Sequence, residues 1–123
     1  MDINTVEFPD SGFDLIVNFA AVHHICYIDK VMRKLCEIIS DDGVFLNYDY
    51  VGPHRNQYDI RMWSDAWDAN LTLPKRLRQR FNKYPNIPAM LAADPTEAIH
   101  SELIVESISR YFNIIEQKHL GGG

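Results

Sequence analysis

Between Phe13 and His24 the chain reads FDLIVNFAAVHH. Phe13, Leu15, Ile16, Val17 and Phe19 form a short, almost continuous apolar run, followed by Ala20, Ala21 and the pair His23–His24. The run is too short for a globular helix and too apolar for a strand with one wet face. It predicts a strand buried on both faces, the kind found in a parallel sheet covered by helices. Open α/β sheets bind ligands beyond the carboxyl ends of their strands, so the residues around and after Phe19 form the first candidate site.

From Tyr27 to Ile39, the residues Ile28, Val31, Met32, Leu35, Cys36 and Ile39 recur at helical spacing and give one core-facing stripe. Asp29 sits where a helix dipole favours a carboxylate. Ser40-Asp41-Asp42-Gly43 is expected to stop that helix, with Gly43 taking a left-handed turn. Val44-Phe45-Leu46 then reads as a second strand, turning polar at Asn47-Tyr48-Asp49-Tyr50. Strand, helix and strand make a βαβ unit, for which a right-handed crossover is expected. Pro9-Asp10-Ser11-Gly12 is the turn that precedes it.

Gly52-Pro53 ends that unit, and residues 57–93 read as a helical insertion. Within it, Pro74 suits a helix first turn, with Leu73, Leu77 and Phe81 on one face and Lys75, Arg76, Arg78, Arg80 and Lys83 around the rest. Asp94-Pro95-Thr96-Glu97 has the pattern of a helix start. Ser101 is expected to cap a further helix with Ile104, Ile108, Tyr111 and Phe112 as its stripe. Asn113 to Leu120 reads as a last strand, and Gly121-Gly122-Gly123 ends the chain. The expected fold is one α/β domain, a partial Rossmann-like three-layer sandwich with a mainly parallel sheet.

At 123 residues and a net charge of -5, with no basic arm, the chain is a poor match for nonspecific nucleic-acid binding. No apolar stretch approaches the ~20 residues a membrane span needs. The amino terminus lacks the basic-then-apolar pattern of a signal peptide. Cys26 and Cys36, the two cysteines, fall in or beside one predicted helix, which argues against a disulfide and for a reduced, cytoplasmic protein.

The order of these pieces resembles part of a class I, S-adenosylmethionine-dependent methyltransferase. FPDSGFDLIVNFAAVHHI is similar to the family's fourth-strand segment, and DDGVFLNYDYVGP to its next turn and fifth strand. GPHRNQY resembles a subgroup with Gly-Pro-x-Arg-x-Gln after that strand, and DPTEAIHSELIVESISRYFNIIEQKHLGG resembles the subgroup's last helix and sixth strand. On this reading the likeness covers nearly the whole chain, as the family's C-terminal half. The family's glycine-rich cofactor loop has no counterpart here: the glycines are Gly12, Gly43, Gly52 and the terminal three, with no Gly-x-Gly turn between a strand and a helix. The resemblance therefore implies a truncated methyltransferase whose intact relatives use S-adenosylmethionine, with no tight binding of that cofactor expected for this chain.

Carried onto this sequence, the resemblance puts Asp2 near the adenine amino group, which a carboxylate can accept. It puts Asn18, His23 and His24 opposite the transferred methyl group. An imidazole there can take a proton from a hydroxyl or amine; the alternative is that the two rings pack and cap. Asp49 and Tyr50 end the next strand, and Arg55, Asn56 and Gln57 follow on the loop. Together they suit a small polar acceptor such as a sugar or an acid, or else anchor the loop to carbonyls. Trp63 and Trp67 line a pocket or simply pack. No motif supplies further metal ligands beside the histidine pair, so none is expected.

Two functions follow as expectations. One is methyl transfer from a sulfonium to oxygen or nitrogen in intact relatives, with this chain inactive alone. The other is a non-catalytic module whose exposed strand edge is covered by a second copy or a partner chain.

Overall fold

The computed structural model describes residues 2–8, 11–80 and 83–120. The sequence readings at Pro9-Asp10, Phe81 and the terminal glycines lie outside the described residues. Strand β1 (Phe13–Phe19) leads through a 3-10 turn (Val22–His24) into helix α1 (Ile28–Ile38) and strand β2 (Ile39–Tyr48). Helices α2 (Ile60–Thr72), α3 (Ile87–Ala93) and α4 (Ile104–Tyr111) follow, with 3-10 turns at His54–Asn56, Lys75–Leu77 and Ser101–Leu103. None of the helices described is long and apolar enough to cross a membrane.

The expected βαβ unit is present. β1 and β2 pair in parallel, with Leu15 opposite Val44, Val17 opposite Leu46 and Phe19 opposite Tyr48. The stripe on α1 buries Ile28, Val31, Met32 and Leu35. These join Val22, Ile25 and Ile104 in the core, and Ile16 and Phe45 of the sheet pack against it. Asn4 ties the amino terminus to this layer by accepting from the backbone N–H groups of Cys26 (3.0 Å) and Tyr27 (3.2 Å). Both cysteines are free thiols.

Among the described residues the other face of the sheet is bare, which corrects the expectation of a strand buried on both sides. Leu15, Val17 and Phe19 are 58%, 59% and 73% exposed, and Phe13, Val44, Leu46 and Tyr48 are exposed beside them. Side chains alternate across a strand, and among the described residues only the Ile16–Phe45 face meets helices. The final strand is also absent. Asn113–Leu120 joins no ladder, and Ile115 is 88% exposed. This segment and β2 line one open groove of about 1210 Å³.

Two turn readings change for identifiable reasons. Ser40–Gly43 does not form a separate helix stop. It bulges within β2, where the register steps from Phe13–Ile39 to Leu15–Val44. Gly43 is needed there for close approach and not for a left-handed φ: an added Cβ would lie 2.7 Å from the Phe13 carbonyl oxygen and 2.5 Å from Ile39 Cγ1. Gly43→Ala is expected to lower stability by about 1–3 kcal/mol through this overpacking, measured as a shift in urea midpoint at unchanged slope. Pro74 opens only the short 3-10 turn Lys75–Leu77, and Leu73 and Leu77 are exposed.

The contact between α1 and α4 includes a polar clasp. Asp29 accepts from Arg110 Nη1 and from the Tyr111 hydroxyl, both at 2.8 Å. The Tyr111 bond, then the Arg110 bond, hold its carboxyl below the usual carboxylate range. A lowered folded-state pKa gives stability that is complete above the unfolded value and is lost as pH falls through the folded one. Melting temperature should therefore drop more steeply below about pH 4 in the wild type than in Asp29→Asn, and the difference should shrink in high salt because the clasp is half exposed.

Candidate functional site

Asp49 stands at the carboxyl end of β2, and its side chain is shielded from solvent. Oδ2 accepts from Asn18 Nδ2 (2.6 Å) and from the backbone N–H groups of Ala21 (3.1 Å) and Val22 (2.7 Å). Oδ1 accepts from its neighbour Tyr50 N–H (2.8 Å) and lies 2.5 Å from His23 Nδ1. Burial alone would raise this carboxyl's pKa; the hydrogen bonds from Asn18, His23 and Val22 outweigh it and hold the group below its ordinary value. An ionised carboxylate has only lone pairs to offer, so His23 Nδ1 is the donor, and in the neutral ring the lone pair is on Nε2.

Parallel pairing is what brings these groups together. With Asn18 opposite Asn47 and Phe19 opposite Tyr48, both strands end at one level and the chain after Phe19 must turn across Asp49. The turn uses Ala20 at φ 50°, and the freed N–H groups of Ala21 and Val22 point at the carboxylate. Asn18 also donates to Asn47 Oδ1 at 2.7 Å.

His24 is oriented from the other side. The Thr96 hydroxyl donates to Asp94 Oδ1 (2.7 Å), so toward His24 Nδ1 (3.1 Å) it can only accept. His24 is thus also protonated on Nδ1. The two rings sit with centroids 4.1 Å apart. Both Nε2 atoms face one oxygen, Glu97 Oε2, at 3.9 Å from His23 and 3.8 Å from His24. Two ring Nε2 atoms and a carboxylate oxygen converge on one partly open space. It adjoins the groove, whose lining includes Ala20, His23, Asp49, Tyr50 and Tyr58.

The loop that delivers Thr96 and Glu97 was expected to begin a helix, and it does not. Asp94 does cap the turn, accepting from Thr96 N–H at 2.8 Å. Arg55, however, takes the carbonyls a helix would need. Its Nη1 donates to Pro95 O (2.5 Å) and Glu97 O (3.2 Å), and its backbone N–H donates to Ala98 O (2.7 Å). Ala98, fully buried, sits at φ 49°, and Ile99 N–H donates to the His23 carbonyl at 3.2 Å. The loop is pinned to the histidine turn itself.

The other sequence-selected residues are placed as follows. Asp2 lies in an exposed turn, where Asn4 N–H and Asn4 Nδ2 donate to its carboxylate, both at 2.9 Å. The Tyr50 hydroxyl donates to Tyr58 (2.9 Å), and its ring meets His23 edge-on at 6.5 Å. Burial, followed by the Tyr58 bond, raises the Tyr50 pKa, which keeps the phenol protonated. Arg55 is buried on carbonyls. Asn56 is half-buried at φ 55°, and Gln57 Nε2 donates to Arg55 O (3.0 Å) and Pro85 O (3.1 Å). Trp63 packs between Tyr58 and Tyr84, with centroids at 6.2 and 5.5 Å. Sequence reasoning missed Thr96 and Glu97 as site residues. Their signal, a hydroxyl and a carboxylate in a proline-bearing turn, was there, but it reads equally well as a helix cap.

Residues 1–47 match a family model described as a methyltransferase domain. A 49-residue stretch is 35% identical to "Uncharacterized methyltransferase YcgJ" of Bacillus subtilis (strain 168), covering 40% of this chain and 19% of that protein. No solved structure matches. The family match corrects the expected extent of the resemblance. It occupies the N-terminal part of the chain and stops at Asn47, and it is not a C-terminal half running to the end. The similarity to methyltransferases thus lies in β1, the histidine turn, α1 and most of β2.

Proposed function

We propose that this site is the acceptor side of a methyl-transfer centre for a small hydroxyl- or amine-bearing molecule. The observation that carries it is the 2.5 Å contact between Asp49 and His23 Nδ1, which leaves Nε2 as a fixed proton acceptor at the end of a parallel strand. A sulfonium donor held by another chain would supply the methyl group; on this chain, His23 Nε2 would take the proton of an acceptor O–H or N–H as that oxygen or nitrogen became the nucleophile. Asp49 steadies the imidazolium, Glu97 faces it, and Tyr50 closes one wall. Family relationship to a methyltransferase domain over residues 1–47 supports this reading.

The nucleotide is not gripped by this chain. Backbone amides of a Gly-x-Gly turn would do that, and the sequence has no such turn. Asp2, the carboxylate assigned to the adenine, accepts two hydrogen bonds from Asn4 on Oδ1. NMR titration in the presence of a chelator tests both parts. A panel of small polyols and amines should shift signals of His23, His24 and the Ala21–Val22 amides, while S-adenosylhomocysteine gives no saturable binding in the micromolar range. Micromolar nucleotide binding, or a site that ignores every acceptor, would contradict the reading.

The bare sheet face supports a second reading, a module that associates with another copy of itself. Seven apolar side chains from Phe13 to Tyr48 are exposed on one face, more than a monomer ordinarily leaves contiguous. Light scattering after size exclusion should show a dimer that Val17→Asp dissociates. A wild-type monomer at high concentration would eliminate it.

A further inference from the structure

We propose that His23, His24 and Glu97 form a binding site for a divalent cation of the zinc type. The family relationship does not enter this argument; three independent features of the geometry do.

The donor set is the first. The donor atoms of His23, His24 and Glu97 all lie within 4.8 Å of one another. Two imidazoles and one carboxylate are a set that zinc accepts, with the remaining position left to water or a ligand. Ligands at about 2.0–2.2 Å from a tetrahedral ion stand roughly 3.4 Å apart. The two Nε2–Oε2 separations of 3.9 and 3.8 Å need to contract by only about half an ångström.

Tautomer control is the second. A metal-binding imidazole usually donates its other N–H to a carboxylate or oxygen acceptor, which aims the ligand nitrogen and raises its basicity. Both rings meet that requirement separately: His23 Nδ1 on Asp49 and His24 Nδ1 on Thr96. Asp49 is held in turn by Asn18 and two backbone N–H groups, and Thr96 by Asp94.

Rigidity and access are the third. The carboxylate comes from a loop clamped by Arg55 and joined to His23 by the Ile99 bond, so its backbone is held beside the two rings. His24 and Glu97 side chains are each 35% exposed, which leaves the cation a way in. The second three-residue cluster, His54, His100 and Glu102, lacks this arrangement. His54 spends the nitrogen nearest Glu102, Nδ1, on the Ile99 carbonyl.

Cation and accepted proton compete for the same lone pair on His23, so the metal-bound form is silent as a proton acceptor. Binding is nevertheless measurable whether or not methyl transfer occurs. The chain, stripped with chelator, is titrated with Co²⁺ and read by visible absorption, then with Zn²⁺ by calorimetry. The expected result is one equivalent with a tetrahedral-type Co²⁺ band that Zn²⁺ displaces. Glu97→Gln and His24→Gln should each abolish the band. Thr96→Val, which leaves the Asp49 network intact, should weaken affinity by about 10–100-fold, and His100→Gln should leave it unchanged. Absence of a one-equivalent transition, or loss of binding in His100→Gln with retention in Glu97→Gln, would overturn the proposal. Circular dichroism of each variant confirms that it is folded.

Discussion

Asp49→Ala is expected to cost the chain about 3–5 kcal/mol, the range for removing one partner from a buried charged network. The loss follows from what the carboxylate holds. Asn18, Ala21, Val22, Tyr50 and His23 all direct N–H groups at it, and a buried donor left without an acceptor costs about 1–3 kcal/mol. The histidine turn would lose its anchor, and with it Val22 and Ile25, which are core residues. Against a total stability of about 5–15 kcal/mol, the variant should be largely unfolded or should melt far below the wild type. Denaturant titration reads this directly. A change under about 1 kcal/mol would show that water replaces the carboxylate at no great cost and that the network is not structural.

Arg55→Met comes next in size, at about 2–5 kcal/mol. Methionine fills much of the volume but strands the carbonyls of Pro95 and Glu97, while the backbone bond to Ala98 remains. Lysine should recover only part of the loss, because one ammonium cannot span two carbonyls as a planar guanidinium does. Hydrogen exchange at the Ile99 amide, whose acceptor is the His23 carbonyl, should speed up in step with global destabilisation. Retention of wild-type exchange and midpoint would mean that the loop holds itself in place.

How far the sequence could be read depended on range. The βαβ unit was legible because its signals are local: the apolar run at Phe13–Phe19, the stripe from Ile28 to Leu35, and the restart at Val44. His23 and Asp49 could be named as neighbours because parallel pairing levels the two strand ends. The bare sheet face was not legible. An apolar run says which residues want cover, and not whether cover is present. Asp94-Pro95-Thr96-Glu97 misled for a different reason: its cap pattern is real and Asp94 does cap a turn, but Arg55, some forty residues earlier in the chain, draws the carbonyls away from a helix. Asn113–Leu120 shows the same limit, since a strand exists only where another edge meets it.

The account turns on a single proton position. Long-range ¹H–¹⁵N correlation of the imidazole rings distinguishes the two neutral tautomers of His23 in the metal-free chain. The account predicts hydrogen on Nδ1, coupled to the Asp49 carboxylate, and a bare Nε2. A His23 ring carrying its proton on Nε2 would contradict it, because neither an accepted proton nor a cation could then use that nitrogen.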